Sequence, residues 1–302
     1  MEIVESSVLS SDGIHYLRGR VYIPCGEVKG YLHIVHGMAE HIGRYDPFMK
    51  SMTEQGFICF GYDHIGHGMT AGESELGFIA PSYGWKYLCK DVEVFASHIR
   101  AQYGEMPYYL MGHSMGSFIV RIAVTMGSKP DRLIIMGTGG PNPAADIGIA
   151  LCRIISALFG EKHVSGFINK MAFGSYNKRF PAEGEHAWLT NVESQRLNYE
   201  NDPLSGYDFT VSAMADLMLL NRNANADSIF KNTSSTMPIL LVSGEDDPVG
   251  DYGVGVKDVF GRYKWAGCTV EMKLYEGCRH EILNDICSEK TVLDIQNFLS
   301  QC

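Results

Sequence analysis

A serine framed by glycines is the residue of this chain best suited to covalent chemistry. Gly112-His113-Ser114-Met115-Gly116 directly follows the apolar run Tyr108–Met111 and precedes the helix-like run Ser117–Ala123. A G-x-S-x-G sequence between a strand and a helix is typical of a sharp elbow, in which the outer glycines leave room where neighbouring backbones come close. The elbow presents the serine hydroxyl above the sheet. We therefore predict that Ser114 is a nucleophile.

A serine nucleophile needs a base to take its proton, and in chains with this elbow the order is serine, acid, histidine. The histidines that follow Ser114 are His163, His186 and His280. The first two fall in a segment that breaks the rhythm of strands and helices, whereas His280 comes just after the last predicted strand. Because sheets of this kind hold their sites at the carboxyl ends of parallel strands, His280 is the predicted base.

The carboxylate that orients the base is expected after the predicted strand Ile239–Val242. Glu245, Asp246 and Asp247 lie in the turn that follows. Pro248 biases the residue before it towards an extended conformation, which can aim a carboxylate away from the turn. This preference favours Asp247 and leaves Asp246 as the alternative.

Two backbone amides are needed to hold the negative oxygen that forms when a serine attacks a carbonyl group. One comes from the residue after the nucleophile and the other from the loop after an earlier strand. Met115 supplies the first, and Met38, which follows the predicted strand Tyr31–Val35, supplies the second. Loss of one such donor typically costs about 100-fold to 1000-fold in rate.

Two other patterns suggest chemistry less strongly. Gly68–Gly72 has the spacing of an elbow, with a threonine at its centre, but it follows a loop and not a strand. Asp63, His64 and His67 could be taken for metal ligands, yet they are too few and no partner pair is evident. Hydrogen bonding within the loop is the better interpretation, and no metal is predicted.

Short apolar runs bounded by glycines recur along the chain, as expected of strands buried on both faces. They lie at Val21–Ile23, Tyr31–Val35, Phe57–Phe60, Tyr108–Met111, Leu133–Met136, Ile239–Val242 and Thr269–Tyr275. The segments between them have helical spacing of apolar residues, as in Trp85–Tyr103. This alternation predicts an α/β fold with a mostly parallel central sheet and helices on both faces. Ile3–Ile23, with a turn at Ser11-Asp12-Gly13, is predicted to form an antiparallel hairpin at the sheet edge.

The alternation stops between Gly139 and about Val211. No strand-like run occurs there, whereas Ile147–Phe159 and Phe167–Phe173 have the composition of mostly apolar helices. Structureless loops longer than about 15 residues are uncommon in compact domains. We therefore predict a helical cap at 140–211, inserted into a core made of 1–139 and 212–302.

Composition excludes several classes of protein. A net charge of −10 disfavours nucleic acid as a partner, because phosphate binding needs a basic surface. Met1–Ser6 lacks a basic segment followed by an apolar core, so no secretory signal is predicted and the protein is expected in the cytoplasm. The eight cysteines include no C-x-x-C pair and are predicted to be free thiols. Ile147–Phe159 is shorter than the roughly 20 residues of a spanning helix, so it can lie on a membrane but not cross one.

Motifs spread along nearly the whole chain carry a family resemblance. The chain resembles the monoacylglycerol lipase and bacterial lysophospholipase group of α/β-hydrolases, also described as serine aminopeptidase-like hydrolases. The matching motifs are His36–Tyr45, Tyr62–Gly68, Gly112–Gly116, Asn201-Asp202-Pro203, Gly244–Val249 and Arg279–Leu283.

The resemblance implies an α/β-hydrolase fold and a role for individual residues. It implies that Ser114, Asp247 and His280 form the triad, with Asp247 favoured because it is the third residue after Gly244, and that the amides of Met38 and Met115 form the oxyanion hole. It also implies that Glu40 and Arg44 lie near the glycerol end of the site. The mammalian lipases have a second histidine three residues beyond the catalytic one, where this chain has Leu283, and this departure removes a polar contact to the alcohol.

Together these features predict a cytoplasmic serine hydrolase that cleaves carboxylic esters of lipid type, such as monoacylglycerols or lysophospholipids. The chemistry requires no metal and no organic cofactor. An acyltransferase and a hydrolase of small amides or peptides are the enzyme alternatives, since they use the same site. A ligand sensor that does not catalyse is the alternative from another class.

Overall fold

One eight-stranded sheet organises the chain in a computed structural model that describes residues 1–72 and 75–301. The strands are β1 (Glu2–Leu9), β2 (Tyr16–Ile23), β3 (Gly30–Val35), β4 (Phe57–Tyr62), β5 (Tyr108–His113), β6 (Arg132–Met136), β7 (Ile239–Gly244) and β8 (Val270–Tyr275). Their spatial order is β1-β2-β4-β3-β5-β6-β7-β8. β3 to β8 are paired in parallel, and β2 runs antiparallel to β4. The predicted, mostly parallel α/β sheet is confirmed.

The predicted hairpin at the start of the chain is also present. β1 and β2 pair in antiparallel register from Glu2 opposite Ile23 to Leu9 opposite Tyr16, and β1 forms an edge of the sheet. Asp12 closes the turn, because its carboxylate accepts hydrogen bonds from the amides of Ile14 and His15.

The described residues contain ten α-helices. They are α1 (Asp46–Glu54), α2 (Trp85–Tyr103), α3 (Met115–Ala123), α4 (Ala145–Phe159), α5 (Gly166–Phe173), α6 (Glu193–Glu200), α7 (Val211–Ala224), α8 (Asp227–Asn232), α9 (Val254–Trp265) and α10 (Ser288–Ser300). Two apolar cores lie on opposite faces of the sheet. α1 and α10 contribute to one, and α2, α3, α7 and α9 to the other. The prediction of helices on both faces is therefore confirmed.

The segment between β6 and α7 is helical in the places that the apolar runs indicate. α4 and α5 cover the two predicted helices, and α4 packs against α7, which packs in turn against α3. On α4, Ile149 and Cys152 are buried, while Ile154, Leu158 and Phe159 are exposed. Among the described residues, the β pairing of this segment is a single bridge between Val164 and Thr210.

The expectation that all cysteines are free thiols is wrong for one pair. Cys278, just after β8, and Cys287, just before α10, form a disulfide across nine positions of the chain. The intervening loop folds back on itself, which spacing alone does not reveal. The cysteines at 25, 59, 89, 152 and 268 are free, and Cys302 lies outside the described residues. In the described parts of the chain no helix is both long enough and apolar enough to cross a bilayer.

Candidate active site

Ser114 occupies the turn between β5 and α3 in a backbone conformation that few residues adopt. Its φ is 54° and its ψ is −120°, and its N–H donates to the Met136 carbonyl at 3.0 Å. Such strained backbone costs about 1–3 kcal/mol and is concentrated at functional sites. A Cβ on Gly112 would meet the Gly116 backbone, and one on Gly116 would meet the Val35 carbonyl. The glycine spacing seen in the sequence is thus a steric requirement of this elbow.

His280 and Asp247 are joined in a buried pair at the carboxyl ends of β8 and β7. The His280 Nδ1 lies 2.9 Å from Asp247 Oδ2, and the side chains are 2% and 0% exposed. The carboxylate is held in place because Oδ1 accepts from the Val249 amide at 2.8 Å and Oδ2 from the Ser243 hydroxyl at 3.3 Å. Since a carboxylate only accepts, the ring carries its proton on Nδ1, and Nε2 is left as the free acceptor.

Asp246 and Asp247, the two candidates for the acid that orients His280, have different surroundings. Asp246 is 40% exposed at its side chain, and its Oδ1 lies 3.8 Å from Arg179 Nη1. Its contacts are those of a surface residue, whereas Asp247 is the carboxylate that the structure brings to His280.

The elbow and the His280 loop approach each other closely. The rings of His113 and His280 have centroids 4.7 Å apart, and a Cβ built on Gly137 would lie 3.2 Å from the His280 Cε1. Within residues 1–72 and 75–301 no hydrogen bond joins the Ser114 hydroxyl to the His280 ring. Catalytic hydrogen bonds of this kind are often long without substrate and tighten in the complex.

The amides of Met38 and Met115 are the two predicted donors of the oxyanion hole. Met115 is the first residue of α3, so its N–H has no acceptor within the helix. In the parts of the chain that the structure describes, neither amide donates to a protein acceptor. The loops are also close, since a Cβ on Gly37 would lie 3.1 Å from the Ser114 Cβ. Ala39, directly after Met38, has a φ of 50°, so this loop too holds a strained residue.

Glu40 and Arg44 form a buried ionic cluster with a third residue, Glu281. Arg44 Nη1 lies 3.0 Å from Glu40 Oε2, and its guanidinium binds both oxygens of Glu281 at 2.6 and 2.8 Å. Burial favours the neutral acid, but the hydrogen bond from His113 and the charge of Arg44 outweigh it and hold the pKa of Glu40 well below its usual range. Both predicted substrate-binding residues are therefore engaged with the protein itself, and contact with substrate stays a prediction.

Two aromatic residues lie at the site although the sequence motifs do not assign them to it. Trp188, from the segment before α6, packs its ring against that of His280 at a tilt of 38°, with centroids 5.1 Å apart, and its carbonyl accepts the His280 N–H at 3.4 Å. Tyr176 packs against Trp188 edge to face. The sequence signal for the contact between Trp188 and His280 is that Trp188 is an aromatic residue in the segment predicted as a cap.

The histidine-rich loop after β4 is organised by hydrogen bonds. The Asp63 carboxylate accepts from the Ile42 amide at 2.8 Å and from the Met69 amide at 2.7 Å. His64 and His67 are buried, and burial lowers the pKa of each ring, most strongly for His64. No group of three ligands suited to a metal occurs in the described ranges of the chain.

The sheet order, the strained serine between β5 and α3 and the buried histidine–aspartate pair after β8 and β7 define an α/β-hydrolase. The family described as serine aminopeptidase, S33, matches residues 26–286. The chain belongs to this family.

Named relatives are similar over most of their length. The monoglyceride lipase of Rattus norvegicus is 31% identical over 250 residues, which cover 81% of this chain and 73% of the lipase. The monoglyceride lipase homolog of monkeypox virus is 26% identical over 267 residues, covering 88% and 87%. The crystal structure of a highly thermostable carboxyl esterase from Bacillus coagulans in complex with glycerol has a TM-score of 0.89 at 26% identity, covering 99% of each chain. The resemblance seen in the motifs is confirmed, and so is the predicted enzyme class, a serine carboxylic ester hydrolase.

Proposed function

We propose that this enzyme hydrolyses carboxylic esters of lipid type through a triad of Ser114, His280 and Asp247. The observation that carries the proposal is the buried hydrogen bond of 2.9 Å between His280 Nδ1 and Asp247 Oδ2, set beside a serine held at a strained elbow. This arrangement leaves the Nε2 lone pair of His280 available to accept the serine proton.

The reaction follows from the positions of these groups. The Ser114 oxygen attacks the acyl carbon while His280 Nε2 takes its proton, and the carbonyl electron pair moves to the oxygen, which the Met38 and Met115 amides hold. Collapse breaks the ester C–O bond, and the alcohol leaves with the proton from His280. Water then repeats the attack on the acyl-enzyme, so that the fatty acid is released and the Ser114 hydroxyl is restored.

A lipid-type ester is the substrate class that the surroundings of the site favour. Two similar proteins are a monoglyceride lipase and a monoglyceride lipase homolog, and one similar esterase was solved with glycerol. We take residues 140–211 as a cap over the site, in agreement with the contact of Trp188 with His280. Leu283 stands where the mammalian lipases have a second histidine, so selectivity for the glycerol head group should be weaker here.

The outer face of α4 is the part of the cap suited to a lipid surface. Ile147, Ile154 and Leu158 are 66%, 58% and 70% exposed and share one face, and Phe159 at the end of the helix is 66% exposed. Water-exposed apolar residues on one face of a helix are typical of interfacial contact. We propose transient contact with membranes through this face. Leu158→Glu should lower binding to phosphatidylcholine vesicles in a flotation assay, whereas Trp265→Glu on α9, another exposed apolar position, should not. Equal binding of the two variants would contradict the contact. A cytoplasmic location is part of the proposal. The free thiols of five described cysteines favour it, whereas the disulfide between Cys278 and Cys287 does not.

Substitution of the nucleophile tests the function directly. Ser114→Ala should abolish release of fatty acid from monoacylglycerols, lysophospholipids and p-nitrophenyl esters, while Ser300→Ala, at an exposed serine of α10, should behave as the wild type. Retained activity in Ser114→Ala would refute the triad. If short esters or small amides are cleaved and long-chain lipids are not, the lipid substrate is wrong. If added alcohol diverts the acyl group from water, the enzyme is an acyltransferase.

A further inference from the structure

Behind Ser114, three buried side chains join the three segments that carry the catalytic groups. Glu40 lies in the loop that supplies the Met38 amide, and Tyr45 lies just after it. His113 is the last residue of β5, next to the nucleophile. These side chains are between 4% and 6% exposed. We propose that His113, held as a positively charged ring, is a positioning residue that fixes the oxyanion loop and the His280 loop relative to Ser114.

The charge of His113 follows from the hydrogen-bonding capacity of its partners. The Tyr45 hydroxyl lies 2.9 Å from Glu40 Oε1 and 2.8 Å from His113 Nδ1. A carboxylate only accepts, so the tyrosine gives its one proton to Glu40 and can only accept from His113. The other ring nitrogen, Nε2, faces the carbonyl of His280 at 3.3 Å, and a carbonyl also only accepts. Both nitrogens of His113 therefore carry protons.

The surrounding charges sustain this state. Glu40 Oε1 lies 3.4 Å from His113 Nδ1. The neighbouring charged groups are Arg44 and Glu281, which are paired with one another, and the titratable ring of His280 also packs against His113. Burial lowers the pKa of His113, but the hydrogen bond and charge of Glu40, aided by Glu281, outweigh it, so the pKa is raised above 6.5. With Arg44 the cluster holds two positive and two negative charges.

The hydrogen bonds of the cluster end on backbone groups that catalysis uses. Glu40 Oε1 accepts the Gly37 N–H at 2.6 Å, which orients the loop whose next residue is Met38. His113 Nε2–H holds the carbonyl of His280, which anchors the backbone from which the catalytic ring extends. A displacement of about 1 Å in such groups can cost about 100-fold in rate. His113 acts through these neighbours and need not touch the substrate.

The inference rests on the proposed triad, so the experiment has one readout for the triad and another for the positioning role of His113. Labelling by a fluorophosphonate, lost in Ser114→Ala, reports the nucleophile. His113→Leu should lower kcat by about 10-fold to 100-fold with KM within about twofold, because it removes both donors. His113→Gln keeps a donor near the Nε2 position but does not titrate. It should recover most of the rate, and it should lack the fall in kcat towards alkaline pH that deprotonation of His113 gives the wild type. His98→Gln on α2 is the matched control and should have the wild-type profile.

Tyr45→Phe keeps the test valid if His113→Leu does not fold. It removes only the hydroxyl that bridges Glu40 and His113, and it should lower kcat severalfold with the melting temperature little changed. Two results together would overturn the positioning role. One is labelling of Ser114 at the wild-type rate in His113→Leu or Tyr45→Phe, and the other is a pH profile of kcat in His113→Gln that is identical to that of the wild type. Absence of labelling in the wild-type protein would instead overturn the triad.

Discussion

Asp247→Asn should nearly abolish activity while leaving the shape of the site intact. The Val249 amide donates to Oδ1 at 2.8 Å, so the new side chain is expected to keep its oxygen there and to place its NH₂ group towards His280. Two donors cannot face each other, and the ring then carries its proton on Nε2 instead of Nδ1. In that tautomer Nε2 has no lone pair left to accept the Ser114 proton.

The expected size of the loss follows from this single change of tautomer. The equivalent substitution in a serine protease triad lowers kcat by about 10⁴-fold. We expect kcat/KM to fall by about 10³-fold to 10⁴-fold, which corresponds to about 4–5.5 kcal/mol of lost transition-state stabilisation. The pair is fully buried, at 2% and 0% exposure, so water cannot readily replace the missing acceptor.

Steady-state hydrolysis of a p-nitrophenyl ester at pH 7.5 measures the effect. Asp246→Asn is the matched control, because that side chain is 40% exposed, and its rate should stay within about twofold of the wild type. A loss in Asp246→Asn that equals or exceeds the loss in Asp247→Asn would refute the reasoning. So would an Asp247→Asn enzyme that keeps a tenth or more of its activity.

Two further predictions concern the oxyanion loop and a buried acid. Gly37→Ala should lower kcat about 100-fold, because the added Cβ lies 2.7 Å from Glu40 Oε1 and displaces the carboxylate that holds the Gly37 N–H and orients the loop. Gly26→Ala, where a Cβ meets nothing within 4 Å, should have the wild-type rate. Equal rates for both variants would contradict the geometry. Burial raises the pKa of Asp216 to about 7, against the smaller opposing effect of amide hydrogen bonds such as that from Gly84. Because an acid whose pKa is raised on folding costs stability as pH rises from 3.8 towards 7, Asp216→Asn should raise the melting temperature by several degrees at pH 8 and by less at pH 5. The same shift at both values would show that Asp216 does not titrate in this way.

The strand ends that carry the site could be predicted because the sequence has local signals for them. The glycines around Ser114 are required by contacts within a few residues and with β3, and short apolar runs mark the strands on both sides. His280 could be predicted by elimination, from its position after the last strand, whereas Asp247 shares its turn with Asp246 and is favoured only by Pro248 and by the family resemblance. The prediction of His280 depends on strand order, which the parallel α/β pattern restricts to few arrangements.

The partners of these residues could not be predicted, since they are set by contacts between distant parts of the chain. Arg44 and Glu281 are separated by 237 positions, and no periodicity relates them. The resemblance implies that Arg44 lies near the glycerol end of the site, which stays a prediction, but it gives no sign that the carboxylates of Glu40 and Glu281 bind the Arg44 guanidinium. Trp188 lies in a segment without regular spacing, and the pairing of Cys278 with Cys287 depends on how one loop folds back.

The most direct test of the proposal is to trap the intermediate. The enzyme is mixed rapidly with a long-chain monoacylglycerol, quenched in acid and digested. Mass spectrometry should then find the peptide that contains Ser114 with one fatty acyl group in place of the hydroxyl hydrogen. The acyl group should appear within the first turnover and be absent in Ser114→Ala. Continued turnover with no acylated peptide, or with the acyl group on another residue, would contradict the account.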